Sequence, residues 1–76
     1  MANIKRSFGA TVRRKRQKLG LSQEEFAERA EIHRTYVSSI ESGKVAVGIE
    51  VCSKVAKALN TPLHLLIREA ETEYNK

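Results

Sequence analysis

The segment Arg34-Thr35-Tyr36-Val37-Ser38-Ser39-Ile40-Glu41-Ser42 holds the most specific set of polar side chains in this 76-residue chain. Projected as a helix at about 100° per residue, Val37, Ile40 and Glu41 fall on one side, and Thr35, Ser38, Ser39 and Ser42 on the other. The second side is a run of small hydroxyls flanked by Arg34 and Tyr36, without an acid. An ordinary solvated face would carry Glu and Lys. Small polar groups instead allow close approach to the base edges of a duplex, and an arginine in the first helical turn can reach guanine O6 and N7 with two hydrogen bonds.

Gln23 has a related chemistry. It lies in the first turn of the preceding helix, where free backbone N–H groups and the side-chain amide can hold the same phosphate. Catalytic constellations are missing: there is no nucleophile with its base, no carboxylate pair in a pocket and no phosphate-cradling glycine loop, so the chain reads as a non-enzyme. Cys52, His33 and His64 lack metal-ligand spacing, and neither a metal nor another cofactor is expected. Cys52 reads as a buried thiol and His33 as a solvent-facing turn residue rather than a pH switch.

The net charge of +5 is unevenly spread. Up to Lys44 the chain has ten Lys or Arg against five acids, and from Val45 onward four of each. The front half therefore suits a polyanion, while the back half has another task.

These side chains need short helices to position them, and the periodicity is helical throughout, with no alternating run that argues for a sheet. The spacing of Phe8, Val12 and Leu19 predicts a helix over residues 4–18, with Arg13, Arg14, Lys15 and Lys18 toward water and a stop at Gly20. Ser22 followed by Glu25 is a capping box, and Leu21 with Phe26 a hydrophobic staple, so a second helix spans 23–30. The third, 34–42, follows after only three residues and stops at Gly43. So tight a turn makes the two cross steeply, as in a helix-turn-helix unit. Ile49, Cys52, Val55, Ala56 and Leu59 mark a fourth helix over 49–59. Thr61 as N-cap with Pro62 at the first position opens a fifth over 62–71, and the polar tail from Glu71 to Lys76 is expected to fray. The fold class is all-α, one five-helix domain over residues 1–76.

The stretches Gly20-Leu-Ser-Gln-Glu-Glu-Phe-Ala, Ile32-His-Arg-Thr-Tyr-Val-Ser-Ser-Ile-Glu-Ser-Gly-Lys44 and Val55-Ala-Lys-Ala-Leu59 together resemble the Cro/lambda-repressor-like helix-turn-helix family, over roughly residues 7 to 67. The triplet Arg34-Thr35-Tyr36 and the chain length further resemble the controller proteins of restriction-modification systems. The resemblance implies a compact lambda-repressor-like DNA-binding domain, with Arg34, Thr35, Ser38 and Ser39 at the major groove. It implies that Gln23 and Lys44 grip phosphates, and Tyr36 and Arg13 are assigned to the same role. It also implies a structural ion pair between Arg16 and Glu41, both on the inward sides of their helices. Three positions depart from the family pattern: Glu31 replaces a helix-ending glycine, His33 a serine cap, and Val47-Gly48 a Pro-Ser pair. A non-glycine at positive φ is strained, so Glu31 puts the turn geometry in question.

Leu63, Leu66, Ile67 and Ala70 form an apolar stripe near the chain end that a 76-residue protein has little left to cover, so it is expected to bury itself in a homodimer. A two-fold dimer calls for a roughly palindromic double-stranded DNA operator with half-sites about one helical turn apart. Two dimers on adjacent sites and a contact with RNA polymerase through Glu24, Glu25 or Glu28 are further expectations. No stretch approaches the roughly 20 apolar residues of a membrane span, and no signal peptide is visible, which places the protein in the cytoplasm. The expected function is a transcriptional regulator of controller type acting on its own promoter. The alternatives are a phage-type repressor and a protein-interaction module of antitoxin or coactivator type.

Overall fold

The computed structural model describes residues 3–74 and contains five helices: α1 Ile4–Lys18, α2 Gln23–Ala30, α3 Arg34–Glu41, α4 Ile49–Ala58 and α5 Leu63–Tyr74. No strand occurs among the described residues. Asn3 starts α1 by accepting the Arg6 N–H at 2.9 Å. Ser22 and Glu25 form the capping box of α2, each side chain accepting the other's backbone N–H at 3.0 and 2.9 Å. The first four helices end alike. A residue at positive φ (Gly20, Glu31, Gly43 or Asn60) reverses the chain, and the next N–H donates to a carbonyl five residues back. Glu31 takes φ 57°, the strained conformation implied by the resemblance to a family with glycine at this position. The turn is held nonetheless by the Ile32 N–H on the Ala27 carbonyl at 3.0 Å and by the Ile32 side chain against the core.

Phe26, Ile40, Leu66, Val12, Val37 and Val55 are fully buried. Each such side chain contributes about 1.5–3 kcal/mol by leaving water. α3 lies across α1 and α2, and α4 packs on α2 and α5. Gly9 permits the closest approach: a Cβ there would overlap the carbonyl oxygens of Ile40 and Glu41, so only glycine lets α1 pass under the end of α3. An isolated glycine inside a helical pattern is the signal for such a contact.

The most extensive helix–helix contact joins α1 to α5, and it corrects the expected dimer stripe. Leu66 is 0% and Ala70 1% exposed, both inside the chain's own core. The stripe does find cover, because α5 folds back over α1, with Lys15 and Glu69 paired at 2.8 Å across the contact. Lys15 is therefore not a free outward cation. Leu63 and Ile67 stay half-buried, while Leu65 and Ile49 are exposed. Thr61 does not cap α5; its hydroxyl donates to the Leu59 carbonyl at 3.1 Å. The Pro62 carbonyl accepts the first turn's Leu65 and Leu66 N–H groups. The helix runs on to Tyr74 through the expected polar tail, whose last two residues, Asn75 and Lys76, lie outside the described residues. Cys52 is buried, its thiol pushed up by desolvation.

Candidate nucleic-acid interface

α3 is amphipathic in the sense its sequence dictates. Val37 and Ile40 point into the core at 0% and 1% exposure, while Arg34, Thr35, Ser38 and Ser42 are exposed and Ser39 is half-buried. Tyr36 is half-buried, packed against the core at the flank of this face. The Arg34 side chain is 61% exposed, and its 3.8 Å approach to the still more exposed Glu24 leaves it free to engage an anion or a base edge. Ser42 caps the end of α3, its hydroxyl donating to the Ser39 carbonyl at 3.2 Å. The Lys44 backbone N–H also binds that carbonyl, at 3.0 Å, and this fixes the exposed lysine just past the helix.

Beneath the face lies an ion pair. The Arg16 Nε donates to Glu41 Oε2 at 2.7 Å and its Nη2 to Oε1 at 3.0 Å, a two-point contact between side chains 10% and 4% exposed. Arg16 Nη1 donates to the Leu21 carbonyl at 2.7 Å, which ties the pair to the turn before α2. Hydrogen bonding and charge from Glu41 raise the Arg16 pKa against the opposing effect of burial. Gln23 joins this network, its Nε2 donating to Glu41 Oε1 at 3.2 Å. A carboxamide has two N–H donors, so the second is left for an outside acceptor, now aimed by the first. That Glu41 orders the Gln23 amide was not legible in the sequence, since the two residues are eighteen apart in the chain.

Three helices converge here. Arg13 and Arg16 from α1, Gln23 from α2, and Ser38, Glu41 and Ser42 from α3 and its cap line one shallow depression of about 230 Å³. Its floor is the neutralised Arg16–Glu41 pair and its rim carries donors. Lys44, Arg34 and Thr35 lie outside this depression.

His33 is the solvent-facing turn residue that the sequence suggests, with a capping role that the sequence did not reveal. Its ring is the N-cap of α3: Nδ1 accepts the Thr35 N–H at 3.1 Å and lies 2.6 Å from Thr35 Oγ1. The preference for Ser, Thr, Asp and Asn at this position hides an imidazole from sequence reading, although a histidine directly before a helical run offers the same acceptor. Among the described residues no group of His, Cys, Asp and Glu could hold a metal ion, and no helix is long and apolar enough to cross a membrane.

The model of the helix-turn-helix family matches residues 12–66. The control protein C.MunI of a Mycoplasma species is 38% identical over 74 residues, 96% of this chain and 100% of its own. The restriction-modification controller protein C.AhdI of Aeromonas hydrophila superposes with a TM-score of 0.78 at 34% identity, over 80% of this chain and 92% of that one. The controller protein C.Esp1396I, solved as a tetramer in complex with its natural 35 base-pair operator, superposes with a TM-score of 0.88 over the whole of both chains. At 21% identity it speaks to the fold alone.

Proposed function

This chain belongs to the helix-turn-helix family, a family of regulators and not of enzymes, and from that premise we propose that it is a controller protein that binds a specific operator as a dimer. It is a DNA-binding transcriptional regulator. The observation that carries the finer reading is the exposed arginine and hydroxyl face of α3, held in place by a buried two-point ion pair and bordered by Gln23 of α2, aimed by Glu41, and Arg13 of α1. Arg34 reads a guanine, and Thr35, Ser38 and the half-buried Ser39 approach neighbouring base edges. Gln23, Lys44, Arg13 and Tyr36 hold phosphates and set the register.

Dimerisation has to draw on apolar surface that the fold leaves open, which favours Leu63 and Ile67, one turn apart on α5, with Leu65 and Ile49. A two-fold dimer places its two copies of α3 on half-sites about 34 Å apart. Two such dimers on adjacent sites complete the proposal, an arrangement that would show as a doubled footprint on the operator. The acidic outer face of α2, with Glu24 and Glu28 exposed, is the surface assigned to polymerase when binding activates the protein's own promoter. Such a regulator works in the cytoplasm.

The test is selection of bound sequences from a random duplex pool, then titration of the winner and a scrambled duplex across a salt series. The expected winner is two-fold symmetric and bound far more tightly than the scrambled duplex at every salt. Arg34→Ala is expected to remove discrimination at one base position per half-site, worth about 1–3 kcal/mol. Salt-sensitive binding that is equal for both duplexes would overturn the operator reading and point to a protein partner.

A further inference from the structure

The contact between His33 and Thr35 constrains more than the start of a helix. Nδ1 of His33 accepts the Thr35 backbone N–H at 3.1 Å, and a backbone amide always carries its proton, so this ring nitrogen must present a lone pair. The same nitrogen lies 2.6 Å from Thr35 Oγ1. Two lone pairs facing one another at that distance would repel, so the hydroxyl proton has to lie on the line toward Nδ1. A threonine hydroxyl has one proton. With it engaged, Oγ1 keeps acceptor capacity only.

We infer that His33 is a specificity-determining residue: by holding the hydroxyl proton of Thr35 it makes this side chain an acceptor-only reader of the base it faces. In the major groove the donors are the amino groups of adenine (N6) and cytosine (N4), whereas guanine O6 and N7 and thymine O4 only accept. An unconstrained threonine hydroxyl turns its proton either way and accommodates both classes. One with its proton held on the protein side selects adenine or cytosine. His33 itself contacts no base in this scheme and acts by positioning. The inference rests on α3 being the helix that reads bases.

The experiment compares the bound pools of wild type, Thr35→Val, His33→Ser and Arg34→Ala, each also titrated across salt. Thr35→Val keeps the branched shape and removes the hydroxyl, so it identifies the position that Thr35 reads. Serine is a strong N-cap and keeps α3 started, while its short side chain leaves the Thr35 hydroxyl free to turn. In wild type, amino-bearing bases are expected at the mapped position by about fivefold, the order of one hydrogen bond. In His33→Ser that preference falls to less than about twofold, guanine and thymine enter the pool, and the salt slope and all other positions stay as they were. Three outcomes overturn the inference: an unchanged preference at that position in His33→Ser, a uniform loss of affinity for all sequences, or no base change at all in Thr35→Val. If Arg34→Ala also leaves the pool unchanged, the assignment of α3 as the reading helix fails, and that failure is distinct from one confined to Thr35.

Discussion

Removing the Glu41 carboxylate tests how the reading face is supported. In Glu41→Ala the Arg16 guanidinium keeps its bond to the Leu21 carbonyl but loses both hydrogen bonds to the carboxylate, at 2.7 and 3.0 Å, in a place where its side chain is only 10% exposed. The Gln23 amide loses its 3.2 Å acceptor in the same step. Breaking a buried pair by removing one partner costs about 3–5 kcal/mol, because the remaining charge is left without compensation. A chain of this length has a total stability on the order of 4–11 kcal/mol. The variant is therefore expected to lose from about a quarter to all of its stability, with Tm lowered by at least roughly 12 °C. Urea melts followed by circular dichroism at fixed protein concentration measure the loss. The double variant Arg16→Met/Glu41→Leu, which removes both charges, is expected to recover most of it, since a well-packed apolar pair is often as stable as a buried ionic one. A loss below about 1 kcal/mol in Glu41→Ala would mean that water reaches Arg16, and the pair could not then be the floor of the site.

Leu66→Asp is expected to abolish the helical circular dichroism signal, because the site is fully buried within one chain; a helical protein that merely sediments as a monomer would return Leu66 to a dimer interface. Glu31→Gly is expected to raise stability by up to about 1 kcal/mol, since relief of strain at φ 57° outweighs the entropy glycine adds to the unfolded chain, and an unchanged or lower melting temperature would contradict it. Glu25 has its pKa lowered, first by the Ser22 N–H and then by the Ser22 hydroxyl. A carboxylate with a depressed folded pKa stabilises the protein above its unfolded value of about 4.3 and loses that contribution as pH falls through the folded one. The stability gap between wild type and Glu25→Ala is thus expected to be constant above about pH 5 and to close in more acidic buffer. The carboxylate is fully exposed, so the gap is small and shrinks with salt.

The sequence by itself determined whatever depends on residues close together in the chain. The apolar spacing of each helix, the Ser22–Glu25 capping box, the stops at Gly20 and Gly43 and the division of α3 into an apolar and a hydroxyl side are all properties of a few consecutive residues, and the folded chain keeps them. The strain at Glu31 was legible only through the family resemblance, which places a helix-ending glycine where this chain has glutamate. Tertiary structure decided which apolar stripe is covered from within. Leu66 and Ala70 look like an unpartnered face until α5 folds back on α1, a contact between the two ends of the chain that no local pattern encodes. It also decided that Gly9 is a crossing point, that Lys15 is spent on Glu69, and that Gln23 is aimed by Glu41. Each of these is a distance between segments far apart in sequence, and such distances are set by how all five helices share one core, not by the preferences of any one of them.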